Sequence, residues 1–402
     1  MEPKAAAGTL ETPSPSELQA RLDEVASALK VGLARNDLAE FYSVFRSTPL
    51  PFLALVHEGD PRGLALACCR VLHRLGGLSP AVALAIENHL YVTAALATFP
   101  TDDPVLAERR RHWLDRVGEE RLLVANSNTA VHSNKLGSHG VIARREGDGF
   151  RVSGSASYMS LASQGDLCVF LTAIEDEGPA VFVTRLRDNP GLDIGPFLFP
   201  RTMLDSDTRR ITFRDVTLSE DELLLSGMTE QMGQLNLFEM AWHQMLIPAL
   251  YLGAAARAIE EVRLFLRSVQ GHDGRPLAEL DGMVVDTGRL VIRYRAAWAL
   301  VLQTAERLAE VAQKPLEKES LGDLFELAGT AKHAGTICAE ELVTAARRIV
   351  GARSFTGDTP QTLERLSQEI PFGTLGPEVN AGIERRIGKR ALQETPFTLR
   401  TD

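Results

Sequence analysis

From residue 16 to about 121, apolar residues recur at helical spacing, as in Leu18, Leu22, Val25, Leu29 and Leu33, with Pro, Gly and Asp between the runs. This pattern predicts a helical N-terminal third. Thr101, Asp102, Asp103 and Pro104 open one of its helices: either aspartate can supply a cap oxygen, Pro104 suits the first turn, and the pattern stops at Gly118. From residue 122 the chain changes to short alternating or continuous apolar stretches bounded by Gly, Asp and Asn, as strands require. Residues 140–149 and 150–154 read as two strands joined through Glu146, Gly147, Asp148 and Gly149, a turn with glycine available for positive φ. Further strands are predicted at 166–173, 180–185 and 210–213. Beyond Met228 long helical periods return at 235–266, 277–312, 317–350 and 380–393. The order predicts an α+β protein: a disordered leader (1–15), an N-terminal helical domain (16–121), a middle β-sandwich or barrel domain (122–226) and a C-terminal four-helix bundle domain (227–402).

Composition narrows the function classes. Apolar residues make up 45% of the 402 and charged residues 24%, the balance of a packed globular chain. A formal charge of -10 argues against nucleic acid, whose phosphates call for clustered Lys and Arg. Cys68, Cys69, Cys168 and Cys338 lack metal-ligand spacing and read as reduced core thiols. The leader has neither the basic region nor the apolar region of a secretion signal. The apolar run 78–99 is interrupted by Glu87, Asn88 and His89, which marks a buried helix and not a membrane span. A cytoplasmic location is expected.

Several stretches, in order, resemble the acyl-CoA dehydrogenase family. They are WLDRVGE (113–119), GSASYMS (154–160) followed by DLCVF (166–170), PGLDIG (190–195), SDT (206–208), ITFRDV (211–216), GRPL (274–277), GARSF (351–355) and LERL (363–366). The resemblance spans about 101–392. It implies the family's three-part acyl-CoA dehydrogenase-like fold, with FAD, or alternatively FMN, held in an extended pose between β domain and bundle. By this likeness Ser133 and Asn134 lie on a first flavin loop, and Tyr158, Met159 and Ser160 on a second. Gly351, Ala352 and Arg353 lie on a Gly-rich loop that reaches the flavin of a neighbouring subunit, which implies a homodimer or homotetramer. Gln270 stands where the family has an Arg on the pyrophosphate.

Removing a proton from Cα of an acyl thioester while flavin N5 takes a hydride from Cβ requires a base facing the ring. The family's commonest base is a Glu in a segment matching GTLGPE (373–378), but Pro377 falls at that position and Glu378 one residue later. Some members place the base on the first bundle helix, where His243 falls; Glu239, four residues earlier, is on the same helical face and is expected to orient the imidazole. His89, His132 and His139 are read as structural. Asn380, Glu378 and Gly376 are candidates to line a substrate pocket, and Arg353 to meet a phosphate.

The leading functional expectation is an FAD-dependent dehydrogenase of acyl thioesters carried on CoA or acyl-carrier protein, with His243 or Glu378 as base. An electron-transfer or flavin reductase partner is implied, and neither nucleic acid nor membrane. The first alternative is a monooxygenase of the same fold using reduced flavin and O2, which the missing Glu favours. The second is a non-catalytic binding module.

Overall fold

The structure, a computed structural model, describes residues 13–127, 140–355 and 362–393. Six helices come first: α1 (Pro15–Arg35), α2 (Ala39–Ser47), α3 (Leu53–Val56), α4 (Pro61–Gly76), α5 (Pro80–Thr98) and α6 (Pro104–Glu119). Their starts follow the capping rules. Ser14 forms a capping box with Glu17 before Pro15, and Asp103 accepts from the Val105 N–H (2.9 Å) ahead of Pro104.

Eight strands follow: β1 (Val124–Ser127), β2 (Val141–Glu146), β3 (Gly149–Met159), β4 (Leu167–Ile174), β5 (Gly178–Arg185), β6 (Leu192–Phe197), β7 (Arg209–Ser219) and β8 (Leu223–Ser226). The expected sandwich or barrel is a single hydrogen-bonded sheet in the order β6-β7-β3-β2-β4-β5-β8, with β1 beside β4. Strand β4 divides its edge: residues 167–170 pair in parallel with β1, and 173–174 with β2. The hairpin closes at Glu146 against Gly149, and Gly147 supplies the positive φ (60°) that the turn needs.

The C-terminal region holds α7 (Glu230–Ser268), α8 (Asp281–Ala312), α9 (Lys318–Val350), α10 (Thr362–Glu369) and α11 (Asn380–Gln393). Helix α8 starts later than its apolar pattern suggests, because 277–279 form a 3-10 turn. The bundle is not confined to the C-terminal region. Helix α4 packs on α7 and α8, and α5 on α7. Helix α5 has the length and apolarity of a membrane crossing, but here it is buried within the protein and serves as a core helix.

Two contacts fix the layers. A Cβ on Gly76 would collide with the Leu250 carbonyl, and one on Gly253 with the His73 carbonyl, so α4 and α7 cross with their backbones touching. Close to that crossing, the buried Glu369 carboxylate accepts from the Ala81 N–H (3.0 Å) and from the Ser79 hydroxyl (3.4 Å) at the start of α5. Burial pushes Glu369 up to about 7, against the pull of the Ala81 N–H. All four cysteines are free and buried.

Two outcomes follow for stability. Gly253→Ala forces the α4–α7 crossing apart and should cost about 1–3 kcal/mol, read from urea unfolding. Glu369 has a folded-state pKa above its ordinary value, so its contribution is full below about 4.5 and is lost as pH rises to about 7. The unfolding midpoint of the wild type should therefore fall relative to Glu369→Gln across that window. A constant difference between the two would remove Glu369 as the titrating group.

Candidate active site

Helices α5 and α7 run in opposite directions: His243 meets Glu87, Phe238 meets Phe99, and Gln231 meets Thr101. Residues four apart share a helix face, so Glu87 and Tyr91 on α5 look across at Glu239 and His243 on α7. Glu87 is fully buried, and its Oε1 lies 2.7 Å from Nδ1 of His243. The His243 ring stacks on Tyr91 at 4.2 Å and 13°. Burial pushes the Glu87 carboxyl up, with His243 opposing the shift. It also pushes the Tyr91 phenol well up, with Glu239 and Glu87 adding to the effect. One proton is held between Glu87 and Nδ1, and Nε2 makes no hydrogen bond among the described residues. The same is true of Glu87 Oε2, which is buried without a partner among them.

The carboxylate paired with His243 is thus Glu87 on a different helix, and not Glu239 one turn away. Glu239 Oε1 instead accepts from Asn126 Nδ2 (2.9 Å) at the end of β1. Glu87 and Tyr91 are the residues that sequence reasoning missed. Their signal was the polar interruption at 87–89 inside an otherwise apolar helix.

His89 is structural, and its hydrogen bonds set its tautomer. Nδ1 accepts from the Val124 N–H (3.0 Å), so the proton is on Nε2, which donates to the Pro51 carbonyl (2.6 Å). Burial, first among the causes, brings it down to about 4. His132, His139, Ser133 and Asn134 lie outside the described residues.

Glu378 sits in a separate polar knot. Its carboxylate accepts from Gln244 Nε2 (2.9 Å) and Arg386 (3.0 Å), while its carbonyl accepts from Lys332 Nζ (2.7 Å). Lys332 is fully buried, is brought down to about 8 by burial, and also donates to Asn380 Oδ1 (2.7 Å). Asn380 in turn donates to Thr336 (3.2 Å). These bonds clamp α11 and the segment before it onto α9 and α7.

Of the residues expected on the second flavin loop, Met159 is fully buried and the Ser160 hydroxyl pairs with Thr208 (2.9 Å). Tyr158, at φ 65°, is 58% exposed and stacks on Phe199, which meets Phe372 edge-on. Ser127 Oγ, at the end of β1, is buried without a partner among the described residues. Gly351, at φ 69°, follows α9; Ala352 and Arg353 are exposed, and the Arg353 guanidinium lies 5.7 Å from the Phe265 ring centre. Gln270 is exposed, and its backbone bridges to Pro276. No group of His, Cys, Asp and Glu among the described residues could hold a metal.

With this geometry in place, comparison with known proteins defines the fold. Residues 234–379 match the family model "Acyl-CoA dehydrogenase, C-terminal domain". Butyryl-CoA dehydrogenase from Megasphaera elsdenii superposes with a TM-score of 0.76 at 17% identity, covering 95% of this chain and 100% of that one. TdsC from Paenibacillus sp. A11-2, solved with FMN and indole, superposes with a TM-score of 0.80 at 18% identity, covering 95% and 98%; it is described as a dibenzothiophene monooxygenase. The chain therefore has the acyl-CoA dehydrogenase fold, which TdsC shares, and its residues 234–379 are similar to that family's C-terminal domain. Isobutylamine N-hydroxylase from Streptomyces viridifaciens is 28% identical over 207 residues, 49% of this chain and 54% of that protein. The match spans about half the length of that relative.

A buried carboxylate–imidazole pair whose Nε2 has no partner among the described residues can take up and return a proton. Glu87→Gln leaves an acceptor for Nδ1–H but removes the titrating carboxyl. Turnover should drop about 10²–10⁴-fold and lose the limb of its pH profile that belongs to the pair. Glu239→Gln should keep that limb. The pH dependence of kcat/KM in the two variants checks the assignment.

Proposed function

We propose that the protein is a flavin-dependent monooxygenase that receives reduced flavin from a partner reductase and inserts one atom of O2 into a small organic substrate. The observation that carries this reading is the fate of the thioester-dehydrogenase base. Pro377 stands at its position, and the neighbouring Glu378 carboxylate is tied by Gln244 and Arg386. The proton-handling group is instead the Glu87–His243 pair. The likenesses to TdsC and to isobutylamine N-hydroxylase support the same reading.

The residues at the strand ends fit a flavin, FAD or FMN. Tyr158 and Phe199 offer an exposed aromatic face, and Ser127 Oγ is a buried hydroxyl still without a partner among the described residues. When bound, the flavin supplies the two electrons that reduce O2. The chain's own part is to orient the substrate against α5 and α7, to exclude water by burial of the Glu87 level, and to move a proton through His243.

A second reading is an acyl thioester dehydrogenase, favoured by the family match over 234–379, with His243 Nε2 as the base. The two readings separate in one experiment. A monooxygenase consumes O2 only with reduced flavin and incorporates 18O from 18O2 into product. A dehydrogenase, loaded with oxidised FAD, is bleached anaerobically by an acyl-CoA. The expected outcome is 18O incorporation without bleaching; bleaching by a thioester would overturn the proposal in favour of the second reading. If the protein binds no flavin at all, both give way to a binding module.

A further inference from the structure

We infer that Glu239 is a positioning residue for the flavin: acting through Asn126, it fixes the rotation of β1 and so the direction of the Ser127 hydroxyl. The inference rests on the flavin-dependent reading, in which Ser127 meets the cofactor, and adds what holds that hydroxyl in place.

Strand β1 receives little support from its own sheet. It spans Val124–Ser127, and among the described residues it pairs with one neighbour, residues 167–170 of β4. A four-residue strand with a ladder on one side has few bonds to stop it turning about its own axis. Two buried groups from the helices supply what the sheet lacks. His89 of α5 accepts from the Val124 N–H (3.0 Å), and two residues on, Glu239 of α7 accepts from the Asn126 amide (2.9 Å). Successive side chains of a strand point to opposite faces, so Asn126 turned toward α7 leaves Ser127 on the other face. There the Ser127 hydroxyl is buried and has no partner among the described residues. Holding Asn126 therefore sets where that hydroxyl points.

Packing alone does not call for this bond. Glu239 is 8% exposed and Asn126 3%, and Glu239 borders a cavity of about 10 Å³ that is otherwise walled by apolar side chains of α5, β4, β5, β8 and α7. A carboxylate in such surroundings carries a desolvation cost that an apolar side chain would avoid. What the pair brings is direction. An amide donates to a carboxylate along one line, whereas apolar contacts tolerate sliding.

The same face of α7 carries His243 one turn further on. Four residues of helix make a rise of about 6 Å. Glu239 and His243 thus tie the end of β1 and the Glu87–His243 pair to one rigid element. A displacement of α7 moves both together, and the spacing between the Ser127 hydroxyl and the proton-handling pair is set by a helix and not by a loop.

The test is the flavin affinity of the full-length protein, read from quenching of FMN and FAD fluorescence, with urea unfolding alongside. Asn126→Ala and Glu239→Ala should each weaken flavin about ten- to hundredfold, and the double variant no further than either single, because both remove the same bond. The reversed pair, Asn126→Asp with Glu239→Gln, rebuilds the bond with donor and acceptor exchanged and keeps one buried carboxylate. Its affinity should return to within about threefold of the wild type. A bond that only stabilised the fold would lower the urea midpoint and leave the affinity of the folded protein unchanged. That result would overturn the inference, as would a reversed pair no better than the single variants. Should the alanine variants not fold, Asn126→Asp alone, which sets two carboxylates against each other, must bind flavin more weakly than the reversed pair; equal binding by the two overturns the inference. A wild type that binds no flavin sinks the flavin-dependent reading and this inference together, whereas a wild type that binds flavin beside variants of equal affinity sinks the positioning role alone. Dependence on the pair without 18O incorporation keeps the positioning role and sinks the monooxygenase.

Discussion

A carboxylate placed in the middle of a fully buried helix must be answered by another element, and Glu87 is answered by His243. This demand organises the centre of the molecule. Helix α5 carries three polar residues in succession, and each is satisfied in a different direction: Glu87 by α7, Asn88 by the Leu84 carbonyl one turn back (3.4 Å), and His89 by Pro51 and the first residue of β1. A helix that would otherwise slide or rotate freely in an apolar core is pinned to the helices and to the sheet at once. The same bonds that pin it shape the candidate site, because they hold an imidazole beside a carboxylate oxygen that has no partner among the described residues.

Helix α7 is the other half of this arrangement. Its glycine crossing with α4 brings backbones into contact, which sets the height at which His243 faces α5. One residue on, Gln244 turns the other way and holds Glu378, while Lys332 holds the carbonyl of Glu378 and the side chain of Asn380. Neighbouring residues of one helix thus face two ways: His243 turns to Glu87, and Gln244 anchors the segment in which the resemblance places the usual base. The polar knot around Lys332 engages the Glu378 carboxylate twice.

The order of helices and strands was legible in the chain because its signals are local. Capping at Asp103, the glycine turn at 147 and the long helical periods of α7, α9 and α11 depend on neighbours within a turn or two. One sheet feature was not legible. The division of the β4 edge between β1 and β2 joins residues some 30 to 40 positions apart, and no period in the sequence reports it. The site was half legible. His243 stood out through the resemblance, but its partner was sought four residues away on the same helix, the one place where spacing alone makes a pair visible. Glu87 lies 156 positions away. The clue to it was the cost of burial: three polar residues in an apolar run require buried partners. Tyr91, one turn from Glu87, reads as ordinary core until the ring of His243 is placed on it.

The most direct measurement is the 15N and 1H NMR spectrum of the His243 imidazole in protein labelled at histidine, compared between wild type, Glu87→Gln and Glu239→Gln. The expected result is a strongly hydrogen-bonded Nδ1–H in the wild type that shifts in Glu87→Gln and stays in place in Glu239→Gln. A signal that ignores Glu87 and moves with Glu239 would contradict the pairing on which the site is built.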